Sequence, residues 1–576
     1  MVTAATGPSF IELYTPKLVT VLRERYGLAD LRADLLSGLT VAIVALPLSM
    51  AIAIASGVTP DRGLYTSIVG GFVVSAFGGS RFQIGGPAGA FIVLVAATGA
   101  RYGLDGLLLA VLLSGVIMLA VGLMRLGAFI KYIPYPVTVA FTFGIAIIIF
   151  SGQVKDLLGL KLAGTEPGPI IPKVEALAAA LSTISMPTVG IAAVTIATIL
   201  IARRYRPHWP SYLIAVAIAS ILCTLFSLPI ETIGTRFGGI PRSLPLPHLP
   251  DLSIARIVEV LPAALSFALL GSIESLLSAV VADSMTGRRH RSNCELVAQG
   301  LANIASSLFG GICVTGTIAR TATNVRAGAR GPLSGIFHAL FVLAFMIVAA
   351  PLASYIPLAA LAGVLAVVAW NMAEKQAFAI LLRSSLSDAL VLLVTLGLVV
   401  FRDLSTGIVA GFCLSMLLFL HRMANSVAVE GIVPRVGSDE PDRPDGRTPY
   451  DATIATDPDI VLYRISGAFF FGAAAAVGAA LERIGEHPRA YILDFSAVPM
   501  IDSTAAAAIA GFAQKVHRRG GAIYLAGALP EVRRLLVAHG LGAHGARFKA
   551  SIASALESAR RRRAGRTAAG PAVPVI

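Results

Sequence analysis

Charge is scarce in this chain of 576 residues: Asp, Glu, Lys and Arg make up 14%, against 56% hydrophobic residues and a mean hydropathy of +0.80. A soluble globular domain carries roughly 25% charged residues, so a wholly water-soluble protein is excluded. Cysteine is scarce as well. Cys223, Cys294, Cys313 and Cys413 stand isolated in or beside apolar segments. With neither metal nor redox spacing, they read as small hydrophobes. The sequence has no P-loop, no metal-ligand cluster and no nucleophilic triad, which argues against an enzyme and calls for neither metal nor cofactor. Nothing at the amino end resembles a cleavable signal peptide: residues 1–34 are mixed and charged, and the first apolar run already has spanning length. Acids are outnumbered 32 to 46, for a net charge of +14. The basic residues are spread over short loops and a tail with Arg560–Arg563 and Arg566, so they do not point to nucleic acid. The tail reads as a disordered solvated end or a contact with the membrane surface.

What the chain has in abundance is apolar runs of about 20 residues, recurring from Leu36 to Leu420, the mark of a polytopic helical membrane protein in a lipid bilayer. Residues 10–33 place apolar positions at helical spacing among Lys17, Arg23, Arg25 and Arg32, which predicts an interfacial helix before the first span. That span, about Leu36–Ser56, contains Pro47, which predicts a kink or local opening. After a second span, Gly63–Gly79, comes Gly85-Gly86-Pro87-Ala88-Gly89-Ala90 and an apolar run from Phe91 only to about Gly99. Too short to cross, it reads as a half-helix starting near the midplane, with proline at its first turn. Further spans follow at about 104–124, 136–152, 186–201 and 210–228, and then a proline-rich stretch, 237–250, that predicts an ordered loop.

A second series runs through about 258–282, 294–311, a short piece at 317–326, 332–353, 357–371, 387–401 and 405–422. In both series the third segment is short and interrupted by Gly, Pro or Thr. Matching interrupted segments in two halves point to an inverted-repeat transporter with its site at the two breaks. Inner loops then hold Arg81, Arg125, Lys131, Arg203, Arg204, Arg206, Arg288, Arg289, Arg291, Arg326, Arg330, Lys375 and Arg383, with few acids. The opposite loops mix Lys155, Arg236 and Arg242 with Asp156, Glu166, Glu231 and Asp251. That asymmetry predicts a cytoplasmic amino terminus, and an even number of spans a cytoplasmic carboxyl terminus.

After Arg422 the composition changes. Residues 433–458 form a Pro/Asp/Arg-rich linker, followed by predicted strands at Ile460–Ile465, Arg489–Phe495 and Ala522–Ala526. These alternate with helices at Ala474–Ile484, Ser503–Val516 and Pro530–His539, a small soluble α/β domain. The expected divisions are a cytoplasmic segment 1–35, a membrane domain 36–424, a linker 425–458, the soluble domain 459–558 and a basic disordered tail 559–576.

Four stretches taken in order carry a resemblance: Ala45–Ala51 leading to Gly63–Ser67, Gly271–Asp283 with Glu274, Thr315–Arg330, and Leu493–Thr504. Over almost its whole length the chain resembles the sulfate permease (SulP) family, bacterial relatives of solute carrier family 26, and its end resembles the STAS domain they carry. Glu274-Ser-Leu-Leu, Cys294–Asn303, Ile318–Arg320 and Asn324–Ala329 look most like the DauA-type dicarboxylate branch. The resemblance implies 14 membrane segments in two inverted repeats of seven (UraA-like), a homodimer in the bacterial inner membrane, and elevator-like alternating access. It also implies a substrate site between the starts of the third and tenth segments, walled by the first and eighth.

The chemistry of that site follows from the residues. Two facing helix amino ends present unpaired N–H groups to a small inorganic or organic anion. Gly86, Pro87, Ala88 and Gly89 on one side, and Thr315, Gly316 and Thr317 on the other, are small enough to let it approach the backbone, with Leu48 on the wall. Arg320 either pairs the anion or is a structural partner of Glu274. Glu274, on one helix face with Leu270 and Ser278, is the candidate for the coupled proton, its alternative a helix–helix hydrogen bond. Asp502 reads as a helix cap, and the resemblance of the STAS domain to anti-sigma-factor antagonists, which carry their phosphorylatable residue at this place, implies Ser503 and Thr504 as candidate phosphorylation sites. These features predict a proton-coupled symporter of a C4-dicarboxylate or sulfate. The rivals are a sodium-coupled bicarbonate symporter and an anion channel or sensor with the STAS domain as output.

Overall fold

The computed structural model describes residues 10–24, 26–127, 134–164, 166–206, 209–425, 428–431, 460–470, 473, 477, 488–542 and 546–568. The chain divides into two compact units, Met1–Cys413 and Leu414–Ile576.

In the first unit the amphipathic stretch is not one helix but two, α1 (Phe10–Tyr14) and α2 (Lys17–Arg23). Residues 28–33, expected to continue it, are the first turns of the long α3 (Leu28–Ala55). The break falls at Tyr26 and Gly27, and it is fixed by a buried carboxylate. Asp34 Oδ2 accepts from the Tyr26 hydroxyl at 2.6 Å, while its Oδ1 accepts from the backbone N–H of Arg330 and Gly331. Helix α3 passes unbroken through Pro47.

The next segment is built in three pieces: α4 (Pro60–Tyr65), a π-helical turn over Thr66–Gly70, and α5 (Gly71–Phe77). Then come a two-residue strand β1 (Gly85–Gly86), a 3₁₀ turn at Gly89–Phe91, and α6 (Ile92–Leu123). Gly103, at φ 71° and ψ −177°, interrupts α6. That conformation is open to glycine and strained for other residues. The expected half-helix is therefore the piece before Gly103, and the expected fourth span the piece after it.

The series continues with α7 (Tyr135–Leu158), α8 (Ile170–Ala179), α9 (Met186–Tyr205), α10 (Ser211–Leu225) and α11 (Ile233–Phe237). The proline-rich stretch beyond α11 has no regular element up to α12 (Ile254–Thr286), as its composition predicts. After it come α13 (Ser292–Leu308), the strand β2 (Thr315–Gly316), α14 (Ile318–Arg326), α15 (Leu333–Ala353) and α16 (Leu358–Met372). The amphipathic α17 (Lys375–Ser384), α18 (Leu386–Phe401) and α19 (Leu404–Asn425) follow. Among the described residues, eight helices are long and apolar enough to cross a membrane. Several other expected spans are short helices or broken ones, such as 60–77 and Ile318–Arg326.

The second unit holds a five-stranded sheet in sequential order. β3 (Ala428–Gly431) lies antiparallel to β4 (Ile460–Ser466); β5 (Ala490–Ala497), β6 (Ala522–Ala526) and β7 (Arg547–Lys549) add on in parallel. The described helices are α20 (Ser503–Arg518), α21 (Pro530–Ala538) and α22 (Ile552–Ala568). Ile465, Phe469, Leu493 and Phe495 pack with Ile509 and Leu536 on one face of the sheet; Ile492 and Tyr524 pack with Ala555 and Leu556 on the other. Parallel strands need both faces covered, and α22 covers the second.

Two expectations are corrected here. Ala428–Gly431, read as linker, is the edge strand. The basic tail is helical through Ala568, because Ala, Arg and Glu favour helix and Ala555, Leu556 and Ala559 anchor it to the sheet. The helix expected at Ala474–Ile484 lies almost entirely outside the described residues.

Candidate functional site

The two interrupted segments meet. β1 and β2 pair antiparallel, Gly85 opposite Gly316 and Gly86 opposite Thr315. The ladder continues through Thr317 N–H, which donates to Ile84 O at 3.1 Å. Each strand leads directly into a helix, the 3₁₀ turn of α6 on one side and α14 on the other. The pairing brings the two helix amino ends together through a two-residue ladder that no local pattern in either segment announces.

Two asparagines hold the strands in register. Asn303 of α13 clamps the approach to β2, its Nδ2 donating to Val314 O and its Oδ1 accepting from Val314 N, both at 2.9 Å. Asn324 of α14 clamps the approach to β1 through Phe82 O at 2.9 Å, and also reaches Ser334 Oγ. Gln83 Nε2 reaches across to Ser275 O and Oγ on α12, at 3.1 and 2.8 Å. The Asn303 amide, engaged through both its nitrogen and its oxygen, fixes one geometry and penalises others.

Arg320, two residues into α14, is 1% exposed and among the largest fully buried side chains. Its Nη2 donates to Ser49 Oγ on α3 at 3.0 Å and to Pro87 O at 3.3 Å. Its Nη1 donates to Ser67 Oγ in the π-helical turn at 3.2 Å. The two serine hydroxyls are themselves 2.8 Å apart. Every one of these partners is neutral, and Arg320 Nε has no acceptor. Of the two sequence readings for this arginine, the pairing with Glu274 is not formed: the two residues make no ion pair. Glu274, half-buried on α12, keeps a shielded Oε2 without a donor among the described residues. One turn before it, Gly271 O accepts from Thr315 Oγ1 at 3.3 Å, which ties α12 to β2.

The small residues are where their size is needed. A Cβ at Gly86 would collide with Arg320 Nη1, and one at Gly316 with Gln83 Nε2. Gly89 faces Ile149 of α7 and Met372 of α16. Ala88, Thr315, Thr317 and Leu48 are buried, and Thr317 Oγ1, at the start of α14, has no partner. Gly86 to Gly89, Thr315 to Thr317 and Arg320 are thus gathered at one locus, with Leu48 next to Ser49 on α3.

The structure adds Ser49, Ser67, Gln83, Ser275 and Asn303. Ser49 and Ser67 are hydroxyls within apolar spans, and that was the available signal. The π-helical turn that aims Ser67 at Arg320 was not readable locally, though such turns often mark functional sites. In the second unit, Ser503 and Thr504 are exposed in the first turn of α20. Asp502 caps that helix, accepting from Ala505 N–H at 2.8 Å.

Comparison with known proteins agrees with this architecture. Residues 31–395 match the model of the sulfate permease family, and residues 451–555 that of the STAS domain. The chain belongs to the sulfate permease family. Among members, it is 38% identical to "Putative sulfate transporter YvdB" of Bacillus subtilis over 90% of this chain and 95% of that one. It is 31% identical to the bicarbonate transporter BicA of Synechocystis, over 88% and 90% of the two chains. The family and these relatives are transporters rather than enzymes. Among solved structures, murine solute carrier 26 family member A9 shares the fold at a TM-score of 0.83 and 18% identity, covering 97% of this chain and 96% of that one. The transmembrane domain of a cyanobacterial BicA aligns at 0.59 and 30% identity, over 68% and 98%.

Proposed function

We propose that this sulfate permease family member is a secondary active transporter that carries a small divalent oxyanion, sulfate or a C4-dicarboxylate, together with a proton. The observation that carries the reading is Arg320: a buried guanidinium whose described partners are all neutral, set where two helix amino ends converge. A buried cation without a counter-charge is costly, and an anion placed there supplies one. The unpaired N–H groups at the two helix starts, the Thr317 hydroxyl and Arg320 Nε are the donors it would meet. Gly86, Ala88 and Gly89 leave room for it against the backbone.

Glu274 is the proposed proton carrier. It lies one turn beyond the Gly271 carbonyl that holds β2, so a proton on it removes a negative charge from the surroundings of the incoming anion. The anion and proton then move together, by elevator-like alternating access in a homodimer of the inner membrane, with the amino terminus and STAS domain cytoplasmic. Phosphorylation at Ser503 or Thr504 would be a control on that domain.

The test is uptake of radiolabelled sulfate, succinate, fumarate and bicarbonate into proteoliposomes, with proton and sodium gradients imposed separately. The expected result is uphill uptake of sulfate or a dicarboxylate driven by an inward proton gradient, and loss of that drive with partial retention of exchange in Glu274→Gln. Unchanged pH dependence in that variant overturns the proton assignment. The 31% identity to BicA supports a second reading, sodium-driven bicarbonate uptake, and the same panel separates the two.

A further inference from the structure

A cavity of about 700 Å³ lies between the length of α10 and the carboxyl-terminal halves of α3 and α15. Its wall is apolar, with Leu46, Pro47 and Met50 from α3, Val216 and Ala217 from α10, and Met346 from α15. The two hydroxyls that α10 contributes are already engaged: Ser220 Oγ donates to Val216 O and Thr224 Oγ1 to Ser220 O, each at 2.9 Å. A buried water makes roughly two to four hydrogen bonds, and this wall cannot supply them. Covering so much apolar wall with another apolar group is what the hydrophobic effect favours. The occupant is therefore apolar.

The rim indicates its source. Ile221, Leu225 and Leu352 line the cavity and are nevertheless 63%, 72% and 70% exposed. Large apolar side chains left open on the flanks of spanning helices form the surface that meets lipid, and the cavity is continuous with that surface. Tyr355, another lining residue, is half exposed at the same end, and an amphipathic ring suits the headgroup boundary. Arg242 lies two residues beyond the lining residue Ile240, exposed and in no ion pair among the described residues. A free cation at the end of an apolar cleft complements a phosphate.

We infer that this cavity is a phospholipid site, with acyl chains lying between α10 and the α3–α15 pair and the phosphate meeting Arg242. The wall residues Leu46, Pro47 and Met50 flank Ser49 on α3, and Ser49 accepts from Arg320 of α14. The lipid thus sits behind the helix that braces the candidate site and separates it from α10.

The test is native mass spectrometry of the full-length protein, delipidated and then titrated with phosphatidylglycerol or phosphatidylcholine. The wild type is expected to retain phosphatidylglycerol in preference to phosphatidylcholine. The double variant A217F/A350F, which fills the cavity, is expected to lose retention, and L200F, exposed on α9 away from the cavity, to keep it. R242A should abolish the preference between the two lipids. Equal retention by the wild type and A217F/A350F, or a wild type that holds only detergent, overturns the site. Should the filled variant fail to fold, an unchanged lipid preference in R242A overturns the proposal on its own.

Discussion

Arg320 shows what one side chain can organise. It joins α14 to α3, to the π-helical turn and to the segment after β1, three elements far apart in sequence. A hydrogen bond to a charged group contributes about 1.5–3 kcal/mol, so replacing the guanidinium should weaken anion binding by roughly 10- to 100-fold. Gly86→Ala should mimic that loss without touching the charge, because the new methyl group displaces Nη1. Transport kinetics should show a raised KM for the anion while the melting temperature stays near that of the wild type. An unchanged KM would separate the arginine from the substrate.

A second residue-scale device lies in the soluble unit. Asp494 is 1% exposed; its Oδ1 accepts from Ser496 N–H at 3.0 Å and its Oδ2 from Arg464 Nε at 2.8 Å. Burial pushes its carboxyl up, but the Ser496 backbone and the Arg464 guanidinium outweigh that and hold it below the usual aspartate range. With the folded value below the unfolded one, the contribution to stability is fully present above the unfolded value, about 4. It is lost as the pH falls through the folded value. Asp494→Asn should therefore flatten the acid limb of the STAS unit's stability curve. Hydrogen exchange of β5 and β6 measured against pH would detect it.

At the scale of elements, the pairing of β1 with β2 decides the site, and Asn303 decides the register. Asn303→Leu removes both hydrogen bonds to Val314, leaving its buried N–H without the Asn303 acceptor and its carbonyl with only the weak Cys313 thiol donor. At about 1–3 kcal/mol for a buried unsatisfied group, the variant should melt lower and lose transport together. Gly103 works differently. Its positive φ ends the half-helix, so Gly103→Ala should strain the turn by roughly 1 kcal/mol while leaving the β1–β2 pair intact. A lower melting temperature with a preserved KM is the expected signature. The sequence pattern exposed both half-helices, since short apolar runs opened by Gly, Pro and Thr are visible locally. It could not expose the ladder between them, because two-residue strands leave no periodicity to read.

For the whole molecule, the two compact units differ in what stabilises them. The membrane unit depends on close helix contacts at glycines, as where a Cβ at Gly115 would press on Gly300 O and one at Gly300 on Gly115 O. The STAS unit is a covered parallel sheet whose antiparallel edge, β3, precedes the linker. A fragment starting at residue 459 lacks that strand and exposes the β4 edge. It should be less stable and more prone to self-association than one starting at residue 423, as denaturant titration and light scattering would show.

Composition and hydropathy alone determined the class of protein, the run of membrane segments, the paired interruptions and the alternating pattern of the soluble end. Each of these is a local or periodic signal that survives in one dimension. The strand status of Ala428–Gly431 and the helical state of the basic run at Arg560 depend on neighbours distant in sequence, and only the fold decided them. The same holds for the arginine. Sequence placed Arg320 at the start of a short helix, yet left open whether it faced Glu274. The folded chain sets it against Ser49, Ser67 and Pro87 instead, because pairing the two half-helices brings those groups, and no carboxylate, within reach of the guanidinium.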